Sequence, residues 1–266
     1  MKRAITIILF ALLATLSAQA QLYVPGETLN YRMSYKAKFF PNTEVAKVVM
    51  QTTEAMLDGM PVYKVYGYGE TAKAFSWVLP VQDAYTIWID PETLRTKRFD
   101  SDLHEGDYTF RSTYLFDWKN LNVHTRWQSR QRPERYKTMK ISDQSMDAVS
   151  LYFNLRSIDA STLSVGQTHN LEMVLEDTVK VLKYRLLGRE VCRVPQQGKF
   201  RTIKLACTLG TSEGFSFTDG SEFFIWITDD KNKFPVMLES PIKIGSIRAY
   251  ISDFKGLKYP LDCKVK

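Results

Sequence analysis

The side chains with the clearest chemical potential are one serine in a glycine frame, a doubled acidic turn and a crowd of carboxylates. Gly210-Thr211-Ser212-Glu213-Gly214 matches G-x-S-x-G. In hydrolases that elbow joins a strand to a helix, and the acid and the histidine follow later in the chain. Here Phe215, Phe217 and Phe223 to Ile227 continue as strand, and the last histidine, His169, precedes Ser212. Both requirements fail, so the segment reads as a hairpin loop bounded by glycines. Asp229-Asp230 and Asp90 fall in equivalent turns. Two carboxylates at a fixed separation can act as acid and base on a glycoside. Aspartate also closes turns through its own side chain, and its recurrence in both halves of the chain favours that role.

Asp100, Asp102, Glu105 and Asp107 crowd one turn and offer oxygen ligands of the kind calcium takes. The glycine comes one place late for a helix-loop-helix calcium site and no helix flanks it, so an acidic β-turn is expected. His104, His124 and His169 are scattered, without the spacing that sets ligands on one metal. No catalytic residue, metal site or cofactor is therefore assigned. Arg126, Arg130, Arg132, Arg135, Lys137 and Lys140 surround a single Glu134. They read as a solvated loop and an edge strand whose charge opposes aggregation, with attraction to anionic envelope polymers or lipid headgroups as the functional alternative.

The elements that must position these residues are strands, and they come in two sets. Gly26-Glu27-Thr28-Leu29-Asn30 returns as Gly166-Gln167-Thr168-His169-Asn170, Gly59 as Gly198, Ile87-Trp88-Ile89 as Ile225-Trp226-Ile227, and Gly106 as Gly245. The offsets are 140, 139, 138 and 139 residues. A fixed period is the mark of a copied unit. The expected fold is mostly β, a curved antiparallel sheet or half-barrel built from two repeated meander units at 22–120 and 162–255. Strands are expected over Leu29 to Ala37, Thr43 to Leu57, Val62 to Tyr68, Asp83 to Ile89, Thr93 to Leu103 and Asp107 to Phe116. The second set runs over Thr168 to Glu176, Thr178 to Leu187, Phe200 to Leu209, Ser221 to Thr228, Phe234 to Ser240 and Lys243 to Phe254, punctuated by glycine and Asp-rich turns. One short helix, about 143–158, joins the units, with Asp143 or Ser145 as N-cap and Met146, Val149 and Phe153 on one face.

Phe223, Ile225 and Ile227 alternate with Phe224 and Trp226, so that strand needs cover on both faces. A thick core supplies it, or a curved sheet around a groove for an apolar ligand. Trp88 and Trp226, repeated at matching strand positions, read as core anchors rather than sugar platforms.

Lys2 and Arg3, the apolar run Ile5 to Leu16 and Ala18-Gln19-Ala20 read as a signal peptide over 1–20, cleaved before Gln21. With no cysteine at position 21, lipid attachment is not indicated. A periplasmic or secreted protein is expected. Removing residues 1–20 from the 266 leaves 246, read as one β-rich domain, 21–266, with no later segment apolar enough to span a membrane. Removing Lys2 and Arg3 lowers the net charge from +7 to +5. Export and that mild excess argue against nucleic acid as a partner. Cys192, Cys207 and Cys263 cannot all pair within one chain and read as small buried hydrophobes. A Cys207–Cys263 bridge is the lesser alternative. A symmetric hairpin around Gln197-Gly198 sets Cys192 opposite Ile203.

Val24-Pro25-Gly26-Glu27-Thr28-Leu29-Asn30-Tyr31, the helix Asp147 to Arg156, Gly198-Lys199-Phe200-Arg201-Thr202, and Trp226-Ile227-Thr228-Asp229-Asp230 with Pro235-Val236 together resemble the DUF3108 family of exported bacterial proteins of unknown function. The resemblance implies a curved, mostly antiparallel sheet and brings no catalytic residues. More distantly the chain is similar to the open half-barrels of periplasmic lipoprotein carriers. The function expected is non-enzymatic binding of an amphiphile or of an envelope protein, with Trp88, Asp90, Trp226, Asp229 and Asp230 as weak ligand-binding candidates. An envelope hydrolase acting on polysaccharide or lipid, or a purely structural envelope component, is the alternative.

Overall fold

The computed structural model describes residues 23–37, 40–77, 80–209, 222–242 and 245–266. The signal segment and the Ser212 loop lie outside the described residues. The first run of strands is β1 (Thr28–Ala37), β2 (Phe40–Leu57), β3 (Met60–Thr71), β4 (Val81–Ile89), β5 (Thr96–Glu105), β6 (Tyr108–Asp117), β7 (Asn122–Ser129) and β8 (Arg132–Lys140). A short β9 (Ser145–Met146) and one helix, α1 (Ala148–Ser157), follow. The second run is β10 (Thr168–Leu175), β11 (Thr178–Val194), β12 (Gly198–Leu209), β13 (Glu222–Thr228), β14 (Pro235–Pro241) and β15 (Ser246–Lys255), with a terminal β16 (Lys264–Val265). They form one large curved sheet in the order β8-β7-β6-β5-β4-β3-β2-β1-β15-β14-β13-β12-β11-β10-β9, with β16 beside β12. Pairing is antiparallel except between β9 and β10.

The sheet does not close. Its two ends, β8 and β9, are unpaired with each other, and side chains bridge the seam. The turn after β10 reaches the opposite end of the sheet. Thr125 Oγ1 donates to the Glu176 carbonyl at 2.6 Å, Lys137 Nζ to the Asp177 carbonyl at 2.6 Å, and the Glu176 N–H to Tyr114 Oη at 3.0 Å. Val174 of β10 shares a core cluster with Val123 of β7 and Tyr114 of β6.

β1–β6 and β10–β15 follow the same order within the sheet, and β1 pairs with β15, so one run is joined head to tail to the other. Several details fall at matching offsets. Positive φ occurs at Gly26 and Gly166, Gly59 and Gly198, Gly106 and Gly245, and at the non-glycine pair Leu94 and Lys233. The register shifts at Trp88/Ile89 and again at Trp226/Ile227. Trp88 faces Lys64 across the ladder as Trp226 faces Lys204.

Several expected boundaries move. β5 begins at Thr96 rather than Thr93, because the Asp90 turn occupies 90–95 with Leu94 left-handed. β5 runs on to Glu105, so Asp100 and Asp102 are mid-strand, not in a turn. β11 continues seven residues past Leu187, through Gly188, where the ladder shifts register. A turn centred on Gln196, with Val194 opposite Gly198, sets Cys192 opposite Phe200 instead of Ile203. The basic segment is strand at both ends: Arg126 lies inside β7, and β8 is an edge strand. All three cysteines are free and buried.

The helix is shorter than 143–158, and its N-cap is Asp147, which accepts from the Val149 and Ser150 N–H groups. Residues 145–146 cannot cap it because they pair with β10 as strand. Apolar residues lie on both of its sides. Val149 and Phe153 pack with Val65, Ile87, Ile89 and Phe99, while Leu151 and Leu155 pack with Ile203, Leu205, Ile225 and Ile227. A helix inside a curved sheet meets sheet on both sides, so the single apolar face expected from the sequence is too narrow.

β13 obtains cover on both faces. Ile225 and Ile227 meet the helix cluster, while Trp226 packs with Cys192, Val194 and Phe200 from the β11–β12 hairpin. The tip of that hairpin lies over the outer face: Arg32 Nη1 donates to Gln196 Oε1 at 3.1 Å, and Gln197 Nε2 to the Ser252 carbonyl at 2.6 Å.

Candidate functional site

The half-barrel has a plugged end and an open end. At the plugged end Arg156, the last helical arginine, meets Glu27, which precedes β1. Their bidentate contacts are 2.6 and 2.9 Å, and both side chains are almost fully buried. Arg156 Nη2 also donates to the Asn232 carbonyl at 3.0 Å, which joins the helix to the turn between β13 and β14. Tyr31 Oη lies 2.7 Å from Tyr152 Oη and donates to the Pro235 carbonyl at 3.0 Å. At the other end of the helix, Thr96 Oγ1 donates to Asp147 at 2.5 Å and lies 2.7 Å from Ser150 Oγ. Burial pushes the Asp147 carboxyl up, against these hydrogen bonds. The C-terminal tail seals the same end: Asn232 Nδ2 donates to the Tyr259 carbonyl and its Oδ1 accepts from the Tyr259 N–H, both at 3.0 Å.

Moving away from the helix, the inward residues of each strand lose cover. On β1, Leu29 and Tyr31 are buried, and Met33 is only half-buried. On β15 the sequence is Ile251 then Ala249, on β14 Val236 then Leu238, on β4 Ile87 then Tyr85, and on β6 Tyr114 and Ser112 then Phe110. The register aligns these steps: Met33 pairs with Ala249, and Ala249 with Leu238. The result is a band of half-buried apolar side chains on the face of the sheet that carries the helix. Across β2 and β3, Met50 and Val48 face Gly67 and Gly69. A Cβ on Gly67 would sit 2.9 Å from Met50 Sδ, so glycine makes room for the methionine.

Two carboxyls toward this end are shifted by burial. Burial, opposed by the His104 N–H and helped by Glu105, raises Asp83 to about 6. Burial and then Asp177 raise Glu176. This open end, the mouth, therefore offers both apolar side chains and carboxyls.

The residues singled out from the sequence do not assemble there. Asp90 closes its turn, accepting from the Glu92 and Thr93 N–H groups at 2.9 and 3.0 Å, and Lys97 at 2.8 Å holds its carboxyl down to about 2. Asp230 accepts in the same way from the Asn232 and Lys233 N–H groups, and Asp229 is paired with Arg189 at 3.1 Å. Trp88 and Trp226 lie on the outer face. Lys64 and Arg98 lie over Trp88 at 6.0 and 5.1 Å, and Lys204 lies over Trp226 at 4.6 Å. Trp226 is 5% exposed and donates its indole N–H to Glu190. Asp100 is held by Arg98, Asp102 by Arg111 and His104, and Asp107 by Arg130. Among the described residues no three His, Cys, Asp or Glu side chains gather around a possible metal position. His124 bonds Thr138 and His169 stacks on Tyr184.

The mouth residues Met33, Met50, Leu238 and Ala249 were not legible as a site, because each reads as ordinary strand alternation. Tyr66-Gly67-Tyr68-Gly69 was the available clue: two glycines on one face of a strand mark a place where something approaches the backbone.

An unclosed antiparallel sheet folded around one helix defines a barrel-like class of protein. The chain belongs to the DUF3108 family, a protein of unknown function, whose model matches residues 30–252. No curated protein matches it. Among solved structures it is similar to a beta-barrel-like protein of domain of unknown function DUF1849 from Brucella abortus. That match has 9% identity and a TM-score of 0.55 over 88% of this chain and 98% of the other. At that identity the likeness is one of fold alone. The Mycobacterium tuberculosis lipoprotein LppX aligns over 96% of this chain and 98% of its own, with 14% identity and a TM-score of 0.27. A score so low supports no argument about either fold detail or function.

Proposed function

We propose that this chain is an exported cell-envelope protein that binds an amphiphile without chemical conversion, the apolar part lying in the open mouth above the helix. The observation that carries this reading is the aligned loss of cover from Tyr31 to Met33, Ile251 to Ala249 and Val236 to Leu238. Concave, mostly apolar surface beside a few polar groups is the usual form of a small-molecule site. Residues 1–20 support export by composition. No helix among the described residues is long and apolar enough to cross a membrane. The matched order, turns and Trp–Lys pairs of β1–β6 and β10–β15 support descent from one copied module.

Native mass spectrometry of protein purified gently from its source cells tests the binding. An adduct of lipid mass is expected, and Ala249→Trp, which fills the wall between Met33 and Leu238, should lose it while keeping the β-sheet circular dichroism. Repeated preparations without an adduct, or an adduct that survives Ala249→Trp, contradict the reading.

A further inference from the structure

Apart from Lys2 and Arg3, the net positive excess of this chain equals the net charge of one ribbon. Of the net +7, Lys2 and Arg3 contribute two. Residues 126–140 hold six cations and one acid, a net +5, so all the rest of the chain sums to zero. That ribbon is β7–β8 at the free edge of the sheet. In β8 every residue except Met139 is exposed, so both faces of the strand meet solvent. The ion pairs leave it available: Arg126 meets Glu134 at 3.5 Å and Arg130 meets Asp107 at 3.3 Å, with the arginine side chains 54% and 64% exposed.

The β7–β8 turn belongs to the open end of the half-barrel. Arg130 N donates to the Thr109 carbonyl, and Gly106 N, in the β5–β6 turn, donates to the Pro80 carbonyl at 2.7 Å. Pro80, the 105–108 turn and the 130–131 turn are thus neighbours at this end, and residues 72–77 precede Pro80 in the chain. Exposed aromatics lie at this end and on the ribbon: Trp77 is 82% exposed and Tyr108 40%, and Tyr136, within β8, is 69% exposed. The Trp77 indole N–H donates to the Ala74 carbonyl within its own loop at 2.9 Å, which satisfies the polar atom and presents the ring to solvent.

We infer that the β7–β8 ribbon and the neighbouring Trp77 loop form a docking surface for an anionic lipid bilayer. Lysine and arginine outside a membrane are drawn to acidic headgroups, and tryptophan and tyrosine settle at the headgroup level. A soluble acidic polymer would use the cations and leave the aromatics without a role. The inference rests on the proposed function in one respect only: docking at this end would bring the apolar mouth to the source of its ligand.

Flotation of the full chain with vesicles tests it, comparing phosphatidylcholine alone with phosphatidylcholine mixed with phosphatidylglycerol. Binding is expected only to the mixed vesicles, and high salt should release it. The triple variant Arg130→Ala/Arg132→Ala/Arg135→Ala should bind roughly a hundredfold more weakly, from about a fivefold factor per basic residue. Trp77→Ala should reduce tryptophan quenching by brominated phosphatidylglycerol, the remainder coming from Trp127 in the ribbon, read beside unchanged circular dichroism. Equal binding to both vesicle types, a triple variant that binds like the wild type, or binding to soluble polygalacturonate but not to vesicles would overturn the inference. Ala249→Trp should still float with the mixed vesicles. Failure to float with lipid adducts intact removes this inference alone, and loss of adducts with flotation intact removes only the ligand reading.

Discussion

Arg156 carries its charge where the fold has excluded water, held by Glu27 and the Asn232 carbonyl and lying over the Phe153 ring at 5.4 Å. Breaking such a pair from one side leaves an uncompensated buried charge, at a cost of about 3–5 kcal/mol, whereas replacing both members by apolar residues is often neutral. Arg156→Ala should therefore lower the denaturation free energy by about 3–5 kcal/mol in urea titration, and Glu27→Leu/Arg156→Met should recover most of that loss. A double variant as weak as the single one would mean that the pair contributes through the helix-to-turn connection rather than through charge. Asp83 gives a pH signature. Its carboxyl is raised by burial to about 6, so the fold favours the protonated form. That contribution is present below the ordinary carboxylate range and is lost as pH rises through about 6. Asp83→Asn should match the wild type in thermal melts at low pH and exceed it above 6, and parallel curves throughout would contradict the assignment. Glu27 and Arg156 both fall in segments that carry the family resemblance, but their pairing is not marked in the sequence, because they stand 129 positions apart.

Among elements, the two tryptophan strands occupy equivalent places and different surroundings. Trp226 is covered by the long β11–β12 hairpin, whereas Trp88 keeps part of its ring in solvent between Lys64 and Arg98. Trp226→Ala should cost about 3–5 kcal/mol and Trp88→Ala roughly 1 kcal/mol, measured by the same titration. Equal costs would show that the hairpin gives no cover. The alternation of Leu29 to Ala37, the turn at Asp58-Gly59 and the two-faced apolar run of β13 were legible because side-chain period and turn chemistry are local. The N-cap was misplaced because a two-residue pairing with β10 takes Ser145 and Met146 out of the helix. The true extent of β11 was hidden by Gly188, which looks like a stop and acts as a point where the ladder slips and the hairpin bends.

In the whole molecule, the proposed binding depends on curvature, and curvature is the property least visible in a chain of strands. The sequence indicates a β-rich, helix-interrupted architecture, and the family match agrees with the resemblance carried by Trp226 to Asp230 and Pro235-Val236. It does not indicate that the helix would plug one end, leaving Met33, Leu238 and Ala249 as the wall of an open mouth. Such a wall is a sum of small register choices over many strands. Its use for ligand is tested most directly by a photoactivatable fatty-acyl probe supplied to the source cells, followed by mapping of the crosslinked peptides. Adducts concentrated on inward residues of β1, β2, β14 and β15, around Met33, Val48, Leu238 and Ala249, are the predicted result. Adducts confined to the outer face around Trp88 and Tyr66, or none above the level of an unrelated exported protein, would contradict the account.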